Sequence, residues 1–209
     1  MRKVGLLLSG CGRYDCTEIH EAVLAMLALD RRSVEIECLA PAGARSEIVD
    51  HASGQLTEGE SRSVLIESAR LSRGRIVPLR EARASFLRAL VIPGGQGVVR
   101  TLMIGAAEAG RRREADAEVD ALVRAFVDQK KPIGTISLAG SLVSTILGLP
   151  LEEDPFSVPP TEIRVDEARG LVWTPGYLTG DRPGEVSIGI DRMVDEVVRR
   201  SASGLTVLS

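Results

Sequence analysis

Apolar residues fall along this chain in two alternating patterns. Val4-Gly5-Leu6-Leu7-Leu8 and Leu90-Val91-Ile92 are short continuous runs, each stopped by glycines, Ser9-Gly10-Cys11-Gly12 and Pro93-Gly94-Gly95. Such runs predict strands buried on both faces. Elsewhere the apolar residues recur at helical spacing. They do so at Ile19, Val23, Leu24 and Leu27, at Val119, Leu122, Val123, Phe126 and Val127 after Asp116, and from Val186 through Val198. Asp15-Cys16-Thr17-Glu18 has the form of a capping box for the first helix. Val34–Leu39 predicts a second strand, and Ser63–Leu71 a short helix ending near Gly74. Pro132–Ser137 predicts a strand that runs directly into an apolar helix over Leu138–Leu147. Glu162–Val165 and Leu171–Thr174 predict a strand pair around the Asp166–Gly170 turn. Pro41–Gly59 is polar and reads as loop, and Arg111-Arg112-Arg113-Glu114 as a solvated helix start. Strands alternating with helices predict an α/β fold, a mostly parallel sheet covered on both faces. Ligands of such sheets bind at the carboxyl ends of the strands. The loops of interest are therefore Ser9–Thr17, Pro93–Gly97 and Ser137–Gly140.

At 209 residues the chain is the length of one domain, taken as 1–209. The net charge is −3 and aromatic residues make up 3%. Both argue against nucleic acid as a partner, the first by leaving no general basic surface, the second by leaving few stacking platforms. No apolar run is long enough for a membrane span. The first run is too short for a signal peptide, so a cytoplasmic protein is expected. Cys11, Cys16 and Cys38 are an odd number with no C-x-x-C spacing, which argues against a disulfide framework and a zinc ribbon. The only histidines are His20 and His51. Neither a metal nor a cofactor is expected.

Three loops could carry chemistry. Ser137 stands between a strand and a helix with small neighbours, Gly134, Ala139 and Gly140. That is the setting of a nucleophile elbow, whose turn lifts the side chain above the sheet and frees the next backbone N–H. Ser137 reads equally as a helix N-cap, since the G-x-S-x-G pattern is absent and no histidine follows it to complete a triad. Pro93-Gly94-Gly95-Gln96-Gly97 reads as an anion-facing glycine turn or simply a tight one. The first loop gathers Cys11, Gly12, Tyr14, Cys16 and Glu18 at one strand end, with His20 one turn into the helix. Glu18 would be a capping partner, or would orient or protonate a nucleophile. Cys16 precedes a helix N-terminus, where a thiolate is favoured, although buried free cysteines are common.

Taken in order, several blocks resemble the PfpI-like superfamily with its class I glutamine amidotransferase-like fold, within it the ElbB glyoxalase branch associated with isoprenoid biosynthesis. The blocks are Gly5–Ala28 (GLLLSGCGRYDCTEIHEAVLAMLA), Arg62–Leu79, Leu90–Gly97 (LVIPGGQG), Lys131–Gly134 with Ile136 (KPIGTI) and Ile163–Tyr177. The resemblance implies a flavodoxin-like doubly wound sheet, a homodimer, and conversion of a small carbonyl compound such as methylglyoxal to a hydroxy acid without cofactor. It implies catalysis by a glutamate at the position of Glu18 beside an elbow nucleophile at Ser137. Oxyanion donors would come from Gly95 and Leu138. Two departures stand out: serine occupies the elbow where the family has cysteine, and Cys16 stands where it typically has glycine. The connection over 149–162 is also shorter than the family's additional strand and helix. The expected function is therefore a divergent glyoxalase-like enzyme. The alternatives are a non-catalytic binding or regulatory protein, or a redox protein using Cys16.

Overall fold

The computed structural model describes residues 3–45, 47–104, 114–150 and 154–203. Seven strands form one sheet: β1 (Lys3–Leu7), β2 (Ile36–Ala40), β3 (Val77–Pro78), β4 (Leu87–Ile92), β5 (Ile133–Ile136), β6 (Arg164–Asp166) and β7 (Leu171–Thr174). Their order is β6-β7-β5-β4-β1-β2-β3. Every adjacent pair is parallel except β6 with β7. This is the flavodoxin-like, doubly wound arrangement. From β1 the chain steps outward to β2 on one side and later to β4 on the other. The resulting switch point opens a crevice at the carboxyl ends of β1 and β4.

The helices are α1 (Ile19–Arg31), α2 (Val64–Leu71), α3 (Gly97–Arg100), α4 (Ala117–Asp128), α5 (Ala139–Leu147) and α6 (Pro183–Ser203). Strand alternation divides the core into two layers. Val4, Leu6 and Leu8 pack with Ala22, Ala25 and Leu29 of α1 and with Ile190, Met193 and Val197 of α6. Leu7, Leu90 and Ile92 face the other way, onto Val119, Val123 and Phe126 of α4 and Leu142 and Ile146 of α5. Gly134 in β5 lets α6 approach closely: a Cβ there would lie 2.3 Å from the Met193 sulfur. Arg32 fastens α1 to α6, donating to Asp191 at 2.8 and 3.0 Å and to Asp195 at 3.1 Å. Among the described residues no helix is long and apolar enough to cross a membrane.

Several expected boundaries move. Asp15 does not cap α1; its carboxylate accepts the Val49 N–H at 2.9 Å, and Glu18 takes the cap, accepting from the Glu21 N–H at 2.7 Å. Pro41–Gly59 is not plain loop. Ala44–Arg45 pairs with Arg62–Ser63, and Ile48–Val49 with Leu56–Thr57. The two apolar residues Ile48 and Val49 are buried there, which a polar average hides. Glu114 belongs to an extended pair, Glu114–Ala115 against Met103–Ile104, and Asp116 caps α4 instead. Arg111, Arg112 and Arg113 lie outside the described residues, as do Leu151, Glu152 and Glu153. Among the described residues of the 149–162 connection the only regular element is one tight turn, Pro155–Ser157.

Candidate functional site

The site is built where β1, β4, β5 and β7 end. Ser137 follows β5 and takes φ 53°, the left-handed region that costs a non-glycine residue about 1 kcal/mol or more. The turn is held from both sides. Its N–H donates to Thr174 O at 2.9 Å, and its carbonyl accepts from the Trp173 indole at 2.9 Å. Leu138 is the N-cap position of α5 and no side chain caps that helix, so Ser137 does not serve as the cap. Among the described residues the Ser137 hydroxyl takes no hydrogen bond, and the side chain is nearly buried. The Leu138 and Gly95 N–H groups likewise find no acceptor among the described residues.

The carboxyl beside Ser137 is that of Glu21, not Glu18. Glu21 is 0% exposed. One of its oxygens accepts the Gly94 N–H at 2.8 Å and the other the Tyr177 N–H at 3.0 Å. Glycines at both contacts are steric necessities. A Cβ on Gly94 would stand 2.7 Å from Glu21 Oε2 and 2.7 Å from the Ser137 Cβ; one on Gly176 would stand 2.4 Å from Glu21 Oε1. Glu21 and Ser137 thus share the same pad of backbone. Burial pushes the Glu21 carboxyl up to about 8, assisted by the charge of Glu18 and opposed by the Tyr177 and Gly94 N–H groups. At neutral pH it is mostly a neutral acid. Glu18 instead spends its side chain on the cap, while its N–H donates to Gly94 O at 3.0 Å. The signal for Glu21 lay in the helical period: Glu21, Ala22, Ala25 and Leu29 share the inward face. A glutamate on a buried face is the unusual observation. The capping pattern by itself points to Glu18, three residues earlier.

The remaining candidates are positioned as follows. His20 lies two residues after Glu18, its Nδ1 2.9 Å from the Tyr177 hydroxyl. Gly95, at φ 97°, packs so closely on the first loop that a Cβ would be 2.4 Å from the Glu18 nitrogen. Cys16 is 5% exposed, its Sγ 2.4 Å from where a Gly10 Cβ would be. That burial removes it from solution. Cys11 is half-buried, and burial raises its thiol above the ordinary range, with Glu67 adding to the shift. Gly12 gives room to His51, which accepts the Tyr14 N–H at 3.2 Å and bonds Val49 O at 3.0 Å through Nδ1. Gly12, Tyr14 and His51 therefore tie the first loop to the Ile48–Val49 strand. Among the described residues no three His, Cys, Asp or Glu side chains converge to hold a metal ion.

The Gly94 pad yields a direct expectation. Gly94→Ala places a methyl between Glu21 and Ser137 and against Ile136 O, 2.8 Å away. A loss of about 1–3 kcal/mol in denaturant unfolding is expected, as for overpacking elsewhere. An unchanged midpoint would mean the pad is looser than drawn.

No protein-family model matches the chain. An ES1 protein homolog, mitochondrial, from Rattus norvegicus is 33% identical over 94% of this chain and 83% of its own length. A human glutamine amidotransferase-like class 1 domain-containing protein 3, mitochondrial, is 40% identical over 69% of this chain. The match spans about half, 54%, of that human protein. Among solved structures, an isoprenoid biosynthesis protein with an amidotransferase-like domain from Ehrlichia chaffeensis superposes with TM-score 0.86 at 29% identity, over 96% of this chain and 99% of that one. A DJ-1 superfamily protein from Salmonella typhimurium shares the fold, at TM-score 0.53 and 20% identity over 98% of this chain and 91% of that one. These relatives correct one expectation: the curated ones are named as mitochondrial proteins, in conflict with a cytoplasmic location. Identity over nearly the whole chain, on the DJ-1/ThiJ/PfpI fold, makes the chain a member of the ES1 family of glutamine amidotransferase-like class 1 domain proteins.

Proposed function

We propose that the chain is a glyoxalase-like enzyme of the ElbB type that converts a 2-oxoaldehyde to a 2-hydroxy acid, with Ser137 in the place of the elbow cysteine and Glu21 as its acid–base partner. The observation that carries this reading is the shared Gly94 pad, which seats a buried carboxyl and a strained serine against each other. The Ser137 hydroxyl adds to the aldehyde carbon and its proton passes to the ionised Glu21. The N–H groups of Leu138 and Gly95, which find no acceptor among the described residues, are suited to meet the oxyanion. Glu21 returns that proton to the oxyanion and, ionised again, takes the former aldehyde proton and delivers it to the neighbouring carbonyl carbon, while the adduct's hydroxyl proton moves to the neighbouring carbonyl oxygen; the adduct becomes a serine ester of the hydroxy acid. Water cleaves that ester and restores Ser137. The sum is oxoaldehyde plus water to hydroxy acid, an internal oxidation and reduction that needs no outside oxidant.

Lactate formation from methylglyoxal, followed by proton NMR, tests the reading. Wild type is expected to form lactate and Ser137→Ala is not. Equal rates in the two proteins would remove Ser137 from the chemistry. No lactate from either would favour a binding protein that retains the fold.

A further inference from the structure

A cleft of about 930 Å³ opens between α5 and the β6–β7 edge, within the range of small-molecule sites. Described residues of the connection after α5, Leu149, Pro150, Pro155 and Phe156, line one side of it. Trp173 forms its wall. Its indole nitrogen is pinned to Ser137 O, and Gly140 lets the ring lie on the first turn of α5, where a Cβ would be 2.6 Å from Trp173 Cδ1. Val143 and Leu171 extend the apolar surface, and Phe156 stands 71% exposed at the cleft. An aromatic ring left this bare beside a concave apolar wall is a surface that gains from being covered. The charges on the rim do not cancel. Asp166 is committed to Arg169, at 2.8 Å from the guanidinium and 3.0 Å from the backbone N–H. Arg164 lines the same cleft and has no ion-pair partner among the described residues. Ser137 and Leu138 line it as well.

We propose that this cleft binds an amphiphilic carboxylate. Its apolar body lies along Trp173 and Phe156, and its carboxylate rests on Arg164. For catalysis the inference rests on the Ser137 reading and deepens it: the substrate would be a carbonyl compound longer than methylglyoxal, with an apolar body and a terminal acid. Binding itself does not depend on that reading. Trp173 is the only tryptophan in the chain, so its emission reports on the cleft alone.

The test is a fluorescence titration with decanoate below its micelle concentration, with decan-1-ol as the uncharged counterpart. Decanoate is expected to change Trp173 emission saturably and to bind about fivefold more tightly than the alcohol. Exposed Arg164 can be replaced without touching the core, and Arg164→Gln should erase that fivefold difference. So should raising salt from low to high ionic strength. No saturable change, equal affinity for acid and alcohol, or indifference to Arg164→Gln would each overturn the proposal. Decanoate binding with no turnover of either methylglyoxal or a longer, acid-bearing 2-oxoaldehyde would sink the catalytic reading and spare the cleft; turnover without decanoate binding would do the reverse.

Discussion

Ser137→Cys is expected to raise methylglyoxal turnover at pH 7 by about 10²-fold. A thiol is already a few per cent ionised near neutrality, whereas a serine hydroxyl depends wholly on a base. The base available is Glu21, and burial holds it near 8, so only about a tenth of it is ionised at pH 7. Cysteine keeps the same Cβ and therefore the same φ of 53° and the same seat on Gly94. The change is confined to one atom. Initial rates of lactate formation, measured from pH 6 to 9, decide it. The wild-type rate should climb through about pH 8 as Glu21 ionises, and the cysteine variant should be faster and flatter at the acid end. A cysteine variant no faster than wild type would mean that nucleophilicity at this position does not limit the reaction.

Glu21→Gln separates the carboxyl's catalytic role from its structural one. Turnover should fall by about 10²–10⁴-fold, the usual worth of a positioned acid–base group. Stability should respond with the opposite dependence on pH. The folded carboxyl ionises near 8, above its ordinary 4.5. The stability it lends is therefore complete below about pH 4.5 and is lost as pH rises through about 8, by at most about 5 kcal/mol. Glutamine does not titrate, but both positions of its amide face backbone donors, the Gly94 and Tyr177 N–H groups. One donor then goes unpaired, at a cost of about 1–3 kcal/mol. Denaturant unfolding should find wild type the more stable at pH 5 and the advantage shrinking or reversed at pH 9. A difference between the two proteins that stays constant from pH 5 to 9 would show that Glu21 keeps its charge state on folding.

Much of the fold was legible because hydrophobic period and glycine punctuation agree. Val4–Leu8, Leu90–Ile92 and Ile133–Ile136 read as buried strands and are, and the helices on α1, α4, α5 and α6 fall within a few residues of their apolar stripes. The small strand pairs in Pro41–Gly59 and at Met103–Ala115 were not legible, because two-residue strands carry no period. At the site, Ser137 could be found from its strand-to-helix junction. The sequence points to Glu18 because the local capping pattern is a short-range signal, whereas the burial of Glu21 comes from Gly94 and Gly176, far away in sequence. Spacing along one helix also could not foresee that Asp15 would be drawn off to the Val49 N–H.

The clamp of Arg32 on Asp191 and Asp195 has a consequence for the order in which the protein is made. Glu21 is made before its two hydrogen-bond donors, at positions 94 and 177, and its helix is fastened by one that begins at Pro183. Until those late segments have been translated, a carboxyl destined for a waterless seat has only water to face. Residues this distant must close their loops before any contact rewards them. The nascent chain therefore carries Glu21 without its partners until the segment around Tyr177 has been made.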